Sequence, residues 1–374
     1  MRIGKGERTM TDELKEKFAR VRKLMGEEGL DGVLLSAIHN FYWITGGKGD
    51  MVDRSCGQAS ARILIMADKA YAVCNSSEMY RVFDEELTDG SFELIGYRWH
   101  EDEAEALKPY IQGKKIGSDN GIYGTQDISD RIQTLRYVLT EAEEKRMDEI
   151  GPEAAQILED SVRDIRPGET EHEAAGRVVG RLLAKGYAVP VILVASDERL
   201  LKYRHPLPTD KKIEKCAMIA ICAQKYGLTV SISRITSFEP LSEEIRNKYE
   251  ALLKVDATYI LNTKSGVPAR QVLEKGYEVY KSTGYEADFH LHHQGGALGY
   301  LTRDYCANFR TEDIVLDHQG FSWNPTIAGV KLEDTYVVRG DEQHIISYTG
   351  NWVYRDVTVD GKTIRRPDIL IQNL

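Results

Sequence analysis

Residues 219–234 read IAICAQKYGLTVSISR. Two apolar stretches, 218–222 and 228–232, flank the tetrapeptide Gln224-Lys225-Tyr226-Gly227, and that arrangement predicts a β-hairpin. The second arm ends in Ser231-Ile232-Ser233-Arg234. Neither arm contains an aspartate or a glutamate, so the hairpin has no carboxylate with which to hold a divalent cation.

Outward from the hairpin the chain reads as two domains. Thr140-Glu-Ala-Glu143 is a capping box that opens a long helix to about Arg163, and Arg166-Pro167-Gly168 then breaks the chain. Thr170-Glu-His-Glu173 is a second capping box, opening a helix to about Lys185, and the strand VPVILVAS follows at 189–196. Nearer the start, Leu14, Phe18, Val21, Leu24 and Met25 keep helical spacing behind a Thr11 cap. Strands are predicted at 32–35, 62–66, 71–74 and 92–97, a helix through Met79, Val82 and Phe83, and a turn in FYWITGG at 41–47. Strands alternating with helices imply a mixed sheet covered by helices. The reading is an α/β domain at 11–137 and an α+β domain at 138–374.

The chain of 374 residues carries a formal charge of −10. That excess of acid disfavours nucleic acid or an anionic membrane surface as a partner. No apolar run reaches the length of a membrane span. The start, MRIGKGERTMTDELKEKF, lacks the apolar core of a signal peptide, so a cytoplasmic protein is expected, with Met10 a candidate natural start and the residues before it an extension. The 5 cysteines form no CxxC pair and fit neutral thiols in a reducing compartment, with Cys222 and Cys306 the two nearest the candidate site.

The hairpin resembles that of the pita-bread superfamily of methionine aminopeptidases, prolidases, aminopeptidase P and creatinase, where it reads D-x-G…G-Y-x-x-D-x-T-R and both aspartates bind metal. Laid on that pattern through Gly227 and Arg234, the two aspartate positions fall on Ala220 and Ser231. The stretch HLHHQGGALGY at 290–300 resembles H-G-x-G-H-G-x-G, with His292 at the first histidine and Gly296 at the metal-binding one. FSWNPTIAG puts Asn324 at the metal-binding glutamate of a T-x-E-P segment, and VKLEDTYVV matches the terminal R-I-E-D strand with Glu333 retained. The resemblance therefore implies the fold without its two metal ions: one carboxylate cannot hold two divalent cations. No cofactor is expected.

The same resemblance supplies the candidate site residues. His205, in a proline-containing loop, matches the proton-transfer histidine of creatinase, a role suited to an imidazole. Arg303, in Tyr300-Leu-Thr-Arg303-Asp304, matches the arginine that binds a substrate carboxylate, with an internal pair to Asp304 as the alternative. Arg234, Tyr300, His292 and Asn324 are expected to bind or orient the substrate, and Glu333 to act with His205 in catalysis. Lys331 shares a strand face with Glu333 and could compensate its charge. On a strand, His290 and His292 would share one face and His293 the other. Ser233 and Asn324 replace two glutamates that bind the guanidinium of creatine, which disfavours creatine itself. Arg54, in the loop 46–54, would contact the neighbouring subunit's substrate in a homodimer like those of creatinase and prolidase.

These residues imply a metal-independent hydrolase of a C–N bond in a small carboxylate-bearing molecule. Two alternatives stand beside it. One is a catalytically inactive pita-bread domain that binds a peptide or protein, as in histone-chaperone subunits. The other is a metallopeptidase resembling Xaa-Pro dipeptidase, with ligands relocated to His290, His292 or His293 together with Glu333 and His318.

Overall fold

The computed structural model describes residues 10–372. The segment before Met10, read as an extension, lies outside them. The described residues divide into two compact units, with the boundary between Arg136 and Tyr137.

The first unit is an α/β structure. Its six strands run across the sheet in the order Glu93–Tyr97, Ala70–Asn75, Gln58–Met66, Gly32–Ala37, Ile116–Ser118, Gln126–Asp127. Parallel and antiparallel pairs mix in it, as the alternation of elements implied. Leu34, Leu64, Val73, Ile95 and Leu107 form its apolar centre. The helix Asp12–Glu28 starts where Thr11 accepts from the Leu14 amide, and it buries Leu14, Phe18, Val21, Leu24 and Met25. FYWITGG differs from expectation. Its apolar half belongs to the helix Ile38–Ile44, and only Gly46 and Gly47, at φ 73° and 88°, turn the chain. Burial of Phe41, Trp43 and Ile44 outweighs the weak helix propensity of the aromatic and β-branched side chains.

The second unit is α+β. One sheet has the order Leu370–Ile371, Leu228–Ser237, Cys216–Lys225, Ala188–Ser196, and a second sheet has the order Tyr305–Cys306, Gly295–Ala297, Gly320–Trp323, Tyr336–Arg339, Glu342–Ile345. Four long helices, Glu141–Arg163, Glu171–Ala184, Glu243–Asn262 and Ala269–Ser282, pack with them. Both capping boxes form, through Thr140 with Glu143 and Thr170 with Glu173. Leu252, Tyr259, Val272, Phe321 and Trp323 sit at the centre of the core. No described helix is long and apolar enough to cross a membrane.

The hairpin is present and tighter than the sequence suggested. The ladder runs on to a Lys225–Leu228 pair, leaving a two-residue loop of Tyr226 and Gly227. Both have positive φ, 57° and 75°, the sign a type I′ turn requires at its two central positions. Every residue of the strand Leu228–Ser237 is buried. Beyond the hairpin partner, it also bonds the segment carrying Glu333: Ser233 donates its amide to the Glu333 carbonyl at 2.9 Å, and Ser231 and Thr335 exchange bonds of 2.8 and 2.9 Å.

Candidate active site

The strand period decides what the hairpin presents. Val191 pairs with Cys222, Leu193 with Ala220, Cys222 with Ser231 and Ala220 with Ser233. These side chains therefore share one face, and Arg234 belongs to the other. The first face forms the apolar wall of a cavity of about 260 Å³, through Val191, Leu193, Ala220 and Cys222. His205, His293, Thr302, Arg303, Asn324, Lys331 and Glu333 supply its polar lining.

At one side of this cavity lies a buried charge cluster. Arg303 donates from Nη2 to Glu333 Oε1 at 2.7 Å and from Nη1 to Ser231 Oγ at 3.2 Å. Lys331 Nζ lies 3.4 Å from Glu333 Oε2. The expected Lys331–Glu333 pair is thus present, and the partner of Arg303 is Glu333 rather than Asp304. Burial raises the Glu333 pKa, but Lys331 and Arg303 outweigh it and hold the carboxyl below its ordinary range. Burial, reinforced by Arg303 and opposed by Glu333, holds the Lys331 ammonium below the usual lysine range. Asn324 is buried with Oδ1 free of any hydrogen bond, as is Arg303 Nε. Unmade bonds of this kind are costly, and a ligand with complementary groups satisfies them.

At the other side are three imidazoles. His205 and His292 approach to 2.9 Å between their Nε2 atoms, and His292 stacks on His293 at 4.5 Å between centroids. Desolvation, with Lys331 as nearby positive charge, pushes all three pKa values down, and Arg303 adds to this at His205 and at His293, where the value falls to about 4. They are neutral at neutral pH. The segment holding His292 and His293 is not a strand: it links the helix Glu286–Phe289 to the strand Gly295–Ala297. Its irregular backbone lets adjacent residues stack, which a pleated strand forbids. His290 turns away and packs against Tyr277 and Phe289.

Several expected site residues lie elsewhere. Arg234 is fully buried on the far face, donating to Glu159 Oε1 at 3.1 Å and Asp334 Oδ1 at 3.0 Å. Arg366 donates to Asp334 Oδ2 at 2.8 Å and bonds Asp256, so Glu159, Arg234, Asp334, Arg366 and Asp256 form one buried ion chain. Arg234 is tied into the interior and is not among the residues that line this cavity. Tyr300 is also buried outside it, its hydroxyl donating to Glu143 Oε1 at 2.6 Å beside a helix start. His318 bonds Glu144 and is not among the clustered histidines. Arg54, expected to act on a neighbouring subunit's substrate, is an exposed residue of the first unit, so its place relative to this cavity does not bear on that expectation. The Cys222 thiol is pushed up to about 11, chiefly by burial and then by Glu333, and burial raises the Cys306 thiol too, so neither is a reactive thiolate. Lys331 and the bonding of Arg303 to Ser231 escaped the site assignment.

Residues 145–340 match the metallopeptidase family M24, and residues 17–149 match the creatinase/prolidase N-terminal domain. The chain belongs to metallopeptidase family M24. It has the pita-bread fold behind a creatinase-type N-terminal domain. An Xaa-Pro dipeptidase of Pyrococcus furiosus is 21% identical over 339 residues, covering 87% of this chain and 95% of its own. A prolidase structure from Pyrococcus horikoshii superposes with a TM-score of 0.76 at 19% identity, covering 89% of this chain and 98% of that one. The N-terminal domain of the FACT complex subunit SPT16 from Cicer arietinum superposes with a TM-score of 0.69 at 11% identity, over 90% and 96% of the two chains. At these identities the structural likenesses show the fold alone.

The two metal ions of this M24 fold do not fit the residues present. Ala220 has no ligand atom, Ser231 accepts from Arg303, and both oxygens of Glu333 face organic cations. At Gly296 a Cβ would lie 2.2 Å from the Tyr305 carbonyl oxygen, so a histidine has no room there.

Proposed function

We propose that this M24 protein hydrolyses an amide-type C–N bond in a small carboxylate-bearing molecule without the family's two-metal cluster. The observation that carries the reading is Glu333, the last of the expected ligands, with Arg303 on one oxygen and Lys331 on the other. A guanidinium and an ammonium against one carboxylate leave a surplus of one positive charge beside the cavity. That surplus favours an anionic substrate group. The unpaired Asn324 Oδ1 accepts a substrate N–H, and His205, which lines the same cavity, is the water-activating group. Hydrolysis joins the water oxygen to the carbonyl carbon, breaks the C–N bond and leaves the proton on the departing amine. Xaa-Pro dipeptides, the substrates named for the relatives, fall within this class; creatine remains disfavoured, because Ser233 and Asn324 offer its cation no charge.

The test is a screen of dipeptides, N-acyl amino acids and related amides by thermal shift, with products read by mass spectrometry. Arg303→Met is expected to weaken carboxylate binding at least about tenfold, in line with loss of a charge-assisted contact. His205→Ala is expected to lower turnover by about two to four orders of magnitude with binding kept. Binding without turnover across the panel would favour a noncatalytic binding domain instead.

A further inference from the structure

Two arms far apart in sequence bring three imidazoles together. The first arm is the loop carrying His205. It is fastened where Arg199 donates to the Leu207 carbonyl at 2.9 Å and where Glu171 accepts from Thr209. The second arm carries His292 and His293. There Gln294 donates to the His292 carbonyl at 2.9 Å, and its own carbonyl accepts from the Asn324 amide at 2.9 Å. Arg204, the residue before His205, pairs with Asp288 at 3.0 Å, which clamps the two arms beside the cluster.

A neutral imidazole has one N–H and one lone pair. Two Nε2 atoms 2.9 Å apart can share only a single proton, and one ring nitrogen from each of the three histidines lies within 4.8 Å of the others. The edge of a tetrahedral site with metal–nitrogen bonds of 2.0–2.1 Å is about 3.3 Å, inside the range these atoms span. Among the described residues no carboxylate or thiol joins the group. Three neutral nitrogens suit zinc and its neighbours, and are poor ligands for magnesium, calcium or manganese.

We propose that His205, His292 and His293 bind one divalent ion of the zinc class, with a fourth coordination position open to the cavity that Arg303, Lys331 and Glu333 line. His205 and His293 line that cavity, which gives water or a substrate oxygen access to the ion. The ligand set shares no residue with the five ligand positions of the M24 fold, so the site is displaced rather than degraded. The inference rests on the hydrolytic reading above and changes the role of His205 in it from free base to ligand, the activation of water passing to the ion, because a zinc ion lowers the pKa of bound water to about 7.

Chelator-treated full-length protein titrated with cobalt(II), and separately with zinc(II) followed by elemental analysis, tests it. Wild type should take up one equivalent per chain and show the strong visible bands of tetrahedral cobalt. His205→Asn and His292→Asn should each weaken binding by about 100-fold or more, beyond the usual loss from a change outside the ligand shell. His290→Asn should bind as wild type does. His205 is exposed, so its variant keeps the test open if His292→Asn fails to fold. Absence of tetrahedral bands and of stoichiometric zinc in wild type, or binding unchanged in His205→Asn, overturns the site. If Arg303→Met still binds zinc while no carboxylate-bearing amide binds or reacts with wild type, the hydrolase reading fails alone.

Discussion

A histidine restored at position 296 would place its Cβ 2.2 Å from the Tyr305 carbonyl oxygen and 3.0 Å from the Ala307 amide nitrogen. The backbone itself has closed over the vacated ligand position. Gly296→His is therefore expected to cost about 3 kcal/mol in unfolding free energy and to restore no manganese binding, checked by thermal denaturation and metal titration. A stable Gly296→His protein that binds manganese would show the strand free to move. The residue types at the five expected ligand positions were legible in the sequence, because each is read at a countable position. The partner of Arg303 was not. Asp304 is its neighbour in the chain, yet Glu333, 30 positions away, takes the guanidinium, since the ladder between Ser233 and Glu333 brings that carboxylate to the same face.

Among the elements, the hairpin shows what alternation alone can tell. Ser231 and Ser233 pair with Cys222 and Ala220, which line the cavity, so Arg234 must face away by the two-residue period of a strand, and its role as a buried anchor follows from the pattern once one serine is placed. Arg234→Ala leaves Glu159 and Asp334 without a shared cation in the interior and is expected to cost about 3–5 kcal/mol. Calorimetry or urea denaturation measures that loss. The loop of His205 depends on a different buried group. Glu171, at the start of the helix Glu171–Ala184, accepts from the Ser196 amide and hydroxyl and the Thr209 amide and hydroxyl, and pairs with Arg199. Burial opposes its ionisation, but Arg199, Thr209 and Ser196 hold its pKa below the ordinary glutamate value. A depressed carboxyl contributes stability above its unfolded pKa and loses it as pH falls through the folded one. The stability gap between wild type and Glu171→Gln should accordingly be full near pH 7 and close in acid. A gap independent of pH would show that the carboxylate is not the stabilising species.

At the scale of the molecule, capping boxes, strand periods and turn residues made the elements of both units readable, because each signal lies within a dozen residues. The histidine cluster needed contacts across 87 positions, and spacing along a chain does not report these. The expected homodimer belongs to this scale too. If Arg54 reaches a neighbouring subunit's substrate, Arg54→Ala should raise KM several-fold while leaving the melting temperature within about a degree, since exposed substitutions cost little stability. An unaltered KM would remove Arg54 from the site. The buried ion chain carries one more consequence. Arg366 lies in the hairpin formed by Tyr354–Val359 and Lys362–Pro367, and it is the shared counter-ion of Asp256 in a long helix and Asp334, the residue after Glu333. A protease that nicked the chain ahead of residue 366 and released this hairpin would take from Asp256 its buried cation and leave Asp334 to Arg234 alone, so loss of a surface ribbon should loosen the second unit from within.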